Sequence, residues 1–227
     1  MTLAQAILGI NYSLRGIDDD APSSGSDEWN YWLYLLNRKK NALFRDVKKN
    51  WSEDFEVQSV GTITANAALS FNLPSTYLAA SGTGENSAAY VIATDGRRID
   101  IDHIAANAIK NGEQAIYISG KNPQVLRFTD EITVTDPMVG GTLYLPGHYL
   151  PADMTASTDD MPFPDDDWGV AATAAEIAFS DVTYEDKTEG LNAVANDLYS
   201  LMVGNAKPGT YGAPNKVVHS VSRRIGS

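Results

Sequence analysis

The chain has 227 residues, 17 basic against 29 acidic, a net charge of −12 and no cysteine. That balance speaks against a generic binder of duplex DNA, whose affinity comes from neutralising phosphates, and the missing cysteines exclude disulfides, thiolate zinc sites and a cysteine nucleophile. The length suits one compact body with an insertion, and the absence of an eighteen-residue apolar run or a signal-like N-terminus predicts a soluble chain with no membrane partner.

Leu3, Ile7, Ile10 and Leu14 share one face at helical spacing and predict a first helix of about four turns. The polar stretch Gly16 to Ser26 reads as a loop whose last serine caps a second helix, with Asp27 and Glu28 in its first turn. In that helix Trp29, Trp32, Leu33, Leu36, Leu43, Val47 and Trp51 keep the helical period, while Arg38, Lys39, Lys40, Arg45, Lys48 and Lys49 gather on the remainder and toward the C-terminal end. A solvated face that complements the helix dipole accounts for these cations without a nucleic-acid ligand.

The period changes at Phe55. Short β-prone runs follow at Phe55 to Val60, Thr62 to Thr64 and Ala68 to Leu73, with a stop at Leu73-Pro74-Ser75. Ala89 to Thr94 and Arg97 to Asp102 flank Asp95-Gly96, which predicts a hairpin closed by a two-residue type I′ turn with Ile99 and Ile101 facing the core. His103 to Asn111 predicts a short helix capped by Asp102 and ended by Gly112. Strands are expected at Gln114 to Ser119, Gln124 to Phe128, Ile132 to Thr135 and Thr142 to Leu145, giving a small antiparallel sheet or barrel, with Gly147 to Thr158 leading out.

Pro162, Phe163 and Pro164 mark the start of a third helix capped by Asp165, Asp166 and Asp167, whose stripe is Trp168, Ala171, Ala172, Ala175 and Phe179. After a break near Ser180 to Asp186, Leu191, Val194, Ala195, Leu198, Leu201 and Met202 repeat the spacing, so an αα-hairpin with two buried faces is expected. The last 21 residues contain Lys207, Lys216, Arg223 and Arg224 and no acid; this stretch is +4, and the other residues carry −16. It reads either as a disordered tail or as an arm that becomes ordered on an acidic neighbour, by adding a strand to an exposed sheet edge.

No catalytic signature emerges. His103, His148 and His219 are isolated, G-x-S-x-G and P-loop motifs are absent, and the Gly82-Thr83-Gly84 loop lacks the third glycine and following helix of a nucleotide-binding turn. Neither an enzyme nor a cofactor or metal site is expected. Domains are set at 1–53 (N-terminal helices), 54–152 (β insertion), 153–206 (C-terminal helix pair) and 207–227 (basic arm). The fold class is α+β: N- and C-terminal helices form one helical bundle, and an antiparallel β domain is inserted between them.

The order of features resembles the head-to-tail connector, or adaptor, proteins of tailed bacteriophages. The residues that carry the resemblance are Leu36, Asn37 and Arg38 in the second helix, the segment Leu73, Pro74, Ser75 and Tyr77, and the segment Tyr117, Ile118, Ser119 and Gly120. The helices Asp165 to Phe179 and Leu191 to Met202 complete it. The resemblance implies a virion protein at the neck, a ring of typically twelve copies beneath the portal that joins the capsid vertex to tail or nozzle proteins. It implies no catalysis, and it makes Lys207, Lys216, Arg223 and Arg224 a portal-docking arm. Genomic DNA would pass the ring without specific binding. The alternative is a module whose β domain recognises a carbohydrate or a protein surface.

Overall fold

The computed structural model describes residues 1–16, 21–45, 49–50, 55–65, 69–80, 89–103, 114–120, 124–205 and 207–208. The protein is α+β, with four α-helices and a large, nearly closed sheet among the described residues. Its contacts divide it into two compact units, one of Met1–Asp54 with Leu150–Gly209 and one built on Phe55–Tyr149.

In the first unit, α1 (Leu3–Arg15) starts at Thr2, whose side chain accepts from the Gln5 amide while the Gln5 side chain accepts from the Thr2 amide. Its buried face is Leu3, Ala6, Ile7, Ile10, Asn11 and Leu14, the expected stripe with one asparagine added. Ser26 caps α2 (Asp27–Arg45) through the Trp29 amide, as its position predicts. This helix ends at Arg45, earlier than its apolar spacing suggests. A two-residue strand, β1 (Lys49–Asn50), follows and pairs with β10 (Lys207–Pro208), so the helix has given way by Lys49; Val47 and Trp51 lie outside the described residues.

The third helix, α3 (Asp166–Ser180), is capped by the Asp165 carboxylate on the Trp168 amide, while Asp166 pairs with the Met1 ammonium at 2.7 Å. α3 packs against α1, α2 and α4 (Thr188–Asn205), and it is buried nearly all round. Val170, Thr173, Ala174, Ile177 and Ala178 are covered along with the alanines of the expected stripe. Phe179, placed on that stripe by spacing, is instead 81% exposed. Ala171 and Ala172 meet Ala195 of α4, with Trp168 and Leu198 alongside; the small side chains allow the close helix approach their sequence implies. A 3₁₀ turn, Val182–Lys187, joins the two helices.

Among the described residues the second unit is an eight-stranded sheet. Its strands are β2 (Phe55–Thr62), β3 (Ser70–Asn72), β4 (Tyr77–Ala80), β5 (Ala89–Ile92), β6 (Arg98–His103), β7 (Ala115–Ser119), β8 (Val125–Phe128) and β9 (Thr142–Tyr149). The path runs β2-β9-β5-β6-β7-β8-β3, and β4 pairs with the Gly147–Tyr149 end of β9. The two ends of the path meet, because the Phe71 ring of β3 lies 2.8 Å from where a Cβ on Gly61 of β2 would stand. That glycine lets the sheet curl almost shut. Inside are Ile63, Val91, Ile116, Leu126, Leu143 and Leu145, each at most 1% exposed.

Several expectations are corrected here. The β6–β7 pair is parallel, Asp102 opposite Ala115 and His103 opposite Ile116, so the sheet is not wholly antiparallel. Asp102 is therefore a strand residue, and the short helix expected after it falls outside the described residues. A parallel pair needs a crossover connection, which local strand signals do not reveal. Ile132 to Thr135 forms no strand; the segment turns, although Ile132 is 1% exposed and belongs to the core. The β5–β6 hairpin closes with the Gly96 amide on the Ala93 carbonyl and Gly96 at φ +84°, which places Thr94 and Asp95 at the corner. This is the three-residue loop with a left-handed glycine after the turn, rather than a two-residue I′ turn. Finally, β9 runs on through Pro146 and Gly147 to Tyr149, where the sequence suggests an exit.

Candidate interaction surfaces

The sequence places Arg38, Lys39 and Lys40 together on a solvated basic face. The structure separates them. Lys40 is fully buried, and its Nζ donates to the Pro151 carbonyl at 2.6 Å, the Ala152 carbonyl at 2.9 Å and Asp153 Oδ1 at 2.6 Å. Arg38 and Lys39 share Glu176 of α3 at 2.9 and 2.7 Å. Asn37 uses both ends of its amide on Met154, donating to the carbonyl at 3.0 Å and accepting from the amide at 2.9 Å. Four consecutive side chains of α2 thus fasten the helix to residues 151–154 and to α3. These three of the cations that suggested a nucleic-acid surface are used internally, and Arg38 alone of the three keeps more than half its side chain exposed.

The three-aspartate cluster before α3 likewise resolves into a cap and an ion pair. A second carboxylate, Asp159, accepts from the Thr155 and Ala156 amides at 2.7 and 2.8 Å, and these backbone bonds hold its pKa below the ordinary carboxylate range. It shapes the turn that presents the Asp159 carbonyl to the Leu3 amide. Of the histidines, His148 is buried in β9; His103 ends β6; His219 lies outside the described residues. Among the described residues no three His, Asp or Glu side chains gather as metal ligands. Tyr77, from the Leu73-to-Tyr77 segment, packs edge-on against Tyr149 at 5.3 Å, and burial raises its pKa. Tyr117 lines a shallow cleft with Ser70, Arg127, Asp130 and Glu131.

Of the arm residues, Lys207 stands opposite Asn50 in the β1–β10 pair, whereas Lys216, Arg223 and Arg224 lie outside the described residues.

What the sequence did not anticipate is the amount of apolar surface left uncovered on the helical unit. The stripe of α4 was expected to be buried; Ala195 and Met202 are, but Val194 is 50% and Leu201 64% exposed. Phe179 and Val182, at the turn into α4, are 81% and 85% exposed. Tyr12 of α1 and Tyr31 and Tyr34 of α2 are exposed as well. In the β unit the exposed large apolar side chains among the described residues are Val57 and Val134, which do not neighbour one another in a strand. Its outward tyrosines are occupied with each other: Tyr90 and Tyr144 stack at 5.3 Å across β5 and β9, and the Arg98 guanidinium covers Tyr90 at 4.0 Å.

α4 explains its own exposure. Leu191, Val194, Leu198 and Leu201 follow a seam of alternating three- and four-residue steps, and Ala195 and Met202 lie beside it. The helix is apolar over a wider arc than α3 covers, so one flank of the seam is packed and the other faces solvent. Comparison with protein-family models and with curated proteins gives no match for this chain.

Proposed function

We propose that the protein is a structural, non-enzymatic component that associates with copies of itself through its helical unit, and that it acts as a head-to-tail connector of a tailed phage. In this reading the N- and C-terminal helices form one bundle, identical lateral contacts close a ring of about twelve copies, and the ring sits in the virion neck between portal and tail or nozzle proteins. The observation that carries the reading is the placement of exposed apolar side chains among the described residues: Phe179, Val182, Val194 and Leu201 on the α3–α4 side and Tyr12, Tyr31 and Tyr34 on α1 and α2, against Val57 and Val134 in the β unit. Large apolar side chains left exposed together on one unit support a protein contact there. The resemblance in feature order supports the connector assignment, and the net charge of −12 agrees with a channel past which DNA slides without being held. The four cations of the arm dock on an acidic portal surface.

A second reading, the β unit as a carbohydrate- or protein-recognition module, draws on the Tyr90–Tyr144–Arg98 array. It is weaker because the ring faces of Tyr90 are already covered by Tyr144 and Arg98, which cross-strand packing explains without a ligand. Light scattering of the purified chain at two concentrations, alone and with a cognate portal, tests the choice. Growth in mass toward a closed ring is the expected result. A monomer that ignores both concentration and portal overturns the connector reading and directs attention to glycan arrays on the β unit.

A further inference from the structure

Resting on that reading of self-association, we infer that the contact is heterologous: the outward face of α4 in one copy packs against the outward face of α2 in the next. Two different surfaces are needed for a chain of contacts that closes into a ring, and the helical unit carries two that differ in chemistry. On α4, Gly190, Ala193, Val194, Asp197 and Leu201 fall at i, i+3, i+4, i+7 and i+11 and are all exposed. A Cβ at Gly190 would meet nothing within 4 Å, so the start of this face is open to a close neighbour. On α2, Tyr34, Arg38, Asn41 and Arg45 fall at i, i+4, i+7 and i+11; the tyrosine is 58% exposed and the arginine side chain at 38 is 57% exposed while still touching Glu176. α3 packs against both helices, so each is covered on one side and free on another.

Charge selects the pairing. α4 has Glu189 and Asp197 and no basic residue between Thr188 and Asn205, and the preceding turn adds exposed Glu185 and Asp186. Two α4 faces brought together in an isologous dimer would oppose acid to acid. The α2 face instead offers Arg38 and Arg45 to those carboxylates and Tyr34 to Val194 and Leu201, an amphipathic aromatic against aliphatic side chains. The second copy of this chain is therefore the occupant of the α4 face, and its α2 is the counterface.

The test is a mixing experiment with full-length Leu201→Asp and Tyr34→Asp, both at exposed positions, with unchanged helical circular dichroism as the check of folding. Wild-type mass rises with concentration, with portal present if the free chain needs it. Each variant alone associates at least about tenfold more weakly, since a charge replaces the large apolar contact of its one damaged face. Mixed, the two variants form a one-to-one dimer that grows no further, because each supplies the face the other lacks. Tyr34→Asp assembling like wild type overturns the α2 counterface while leaving self-association standing, and so does a mixture that forms no dimer. A wild-type chain that stays monomeric, with portal and without it, overturns the self-association reading itself.

Discussion

At the scale of single residues, Lys40 shows how a charge that looks solvated can belong to the core. Its ammonium is fully buried, 111 residues in sequence from the Pro151 carbonyl it holds, and its carboxylate partner Asp153 is 61% exposed. The two carbonyls do more of the compensating than the ion pair, because Asp153 retains water and a screened pair contributes little. Asn37 beside it closes two further bonds on Met154. Replacing Lys40 with methionine keeps the volume of the side chain and removes three hydrogen bonds. The expected cost is about 2 kcal/mol in urea unfolding of the helical unit, most of it from carbonyls left without a donor. A change below about 0.5 kcal/mol, the size of an ordinary surface substitution, would show that the lysine is held there without contributing to stability.

Among elements, β9 and α4 depart from their sequence patterns in opposite directions. The sequence Leu145-Pro146-Gly147 reads as the end of a strand, yet Pro146 stands opposite Val57 in the β2 pairing, and Gly147 passes within 2.9 Å, measured from a hypothetical Cβ, of the Ala79 carbonyl and the Tyr77 ring. Glycine is there for close approach of a third strand, not for a turn. Gly147→Ala pushes a methyl into backbone and aromatic atoms that cannot easily yield, so the β unit should lose about 2 kcal/mol in thermal or denaturant melting. A melting midpoint equal to wild type would mean that β4 is free to draw back. In α4, by contrast, the apolar spacing is real and its burial only partial: the same leucine and valine period that predicts a helix leaves undecided how many neighbours will cover it.

For the molecule as a whole, charge is distributed unevenly along the chain, +4 on the last 21 residues and −16 on the remainder. Under the connector proposal that asymmetry gives the arm an acidic partner. Reversing Arg223 and Arg224 to glutamate should weaken portal docking by about tenfold or more at low salt and leave ring closure through α2 and α4 unchanged, as read by co-sedimentation and by mass. The two functions are thereby separable: lost docking with retained rings supports the arm, whereas unaffected docking removes the arm from the account.

Much of the local structure was legible in the residues themselves. The stripe Leu3, Ile7, Ile10 and Leu14, the Ser26 cap, the Asp165 cap and the alanine contact between α3 and α4 follow from periodicity and hydrogen-bonding chemistry that act within a few residues, so the sequence by itself determined them. The candidate surfaces were not legible in the same way. Whether Lys40 is solvated or buried, whether β6 pairs parallel with β7, and which side of α4 remains open depend on segments brought together from far along the chain. Only the tertiary structure decides these, because burial is a property of what packs against a residue and a one-dimensional pattern states only which face is apolar.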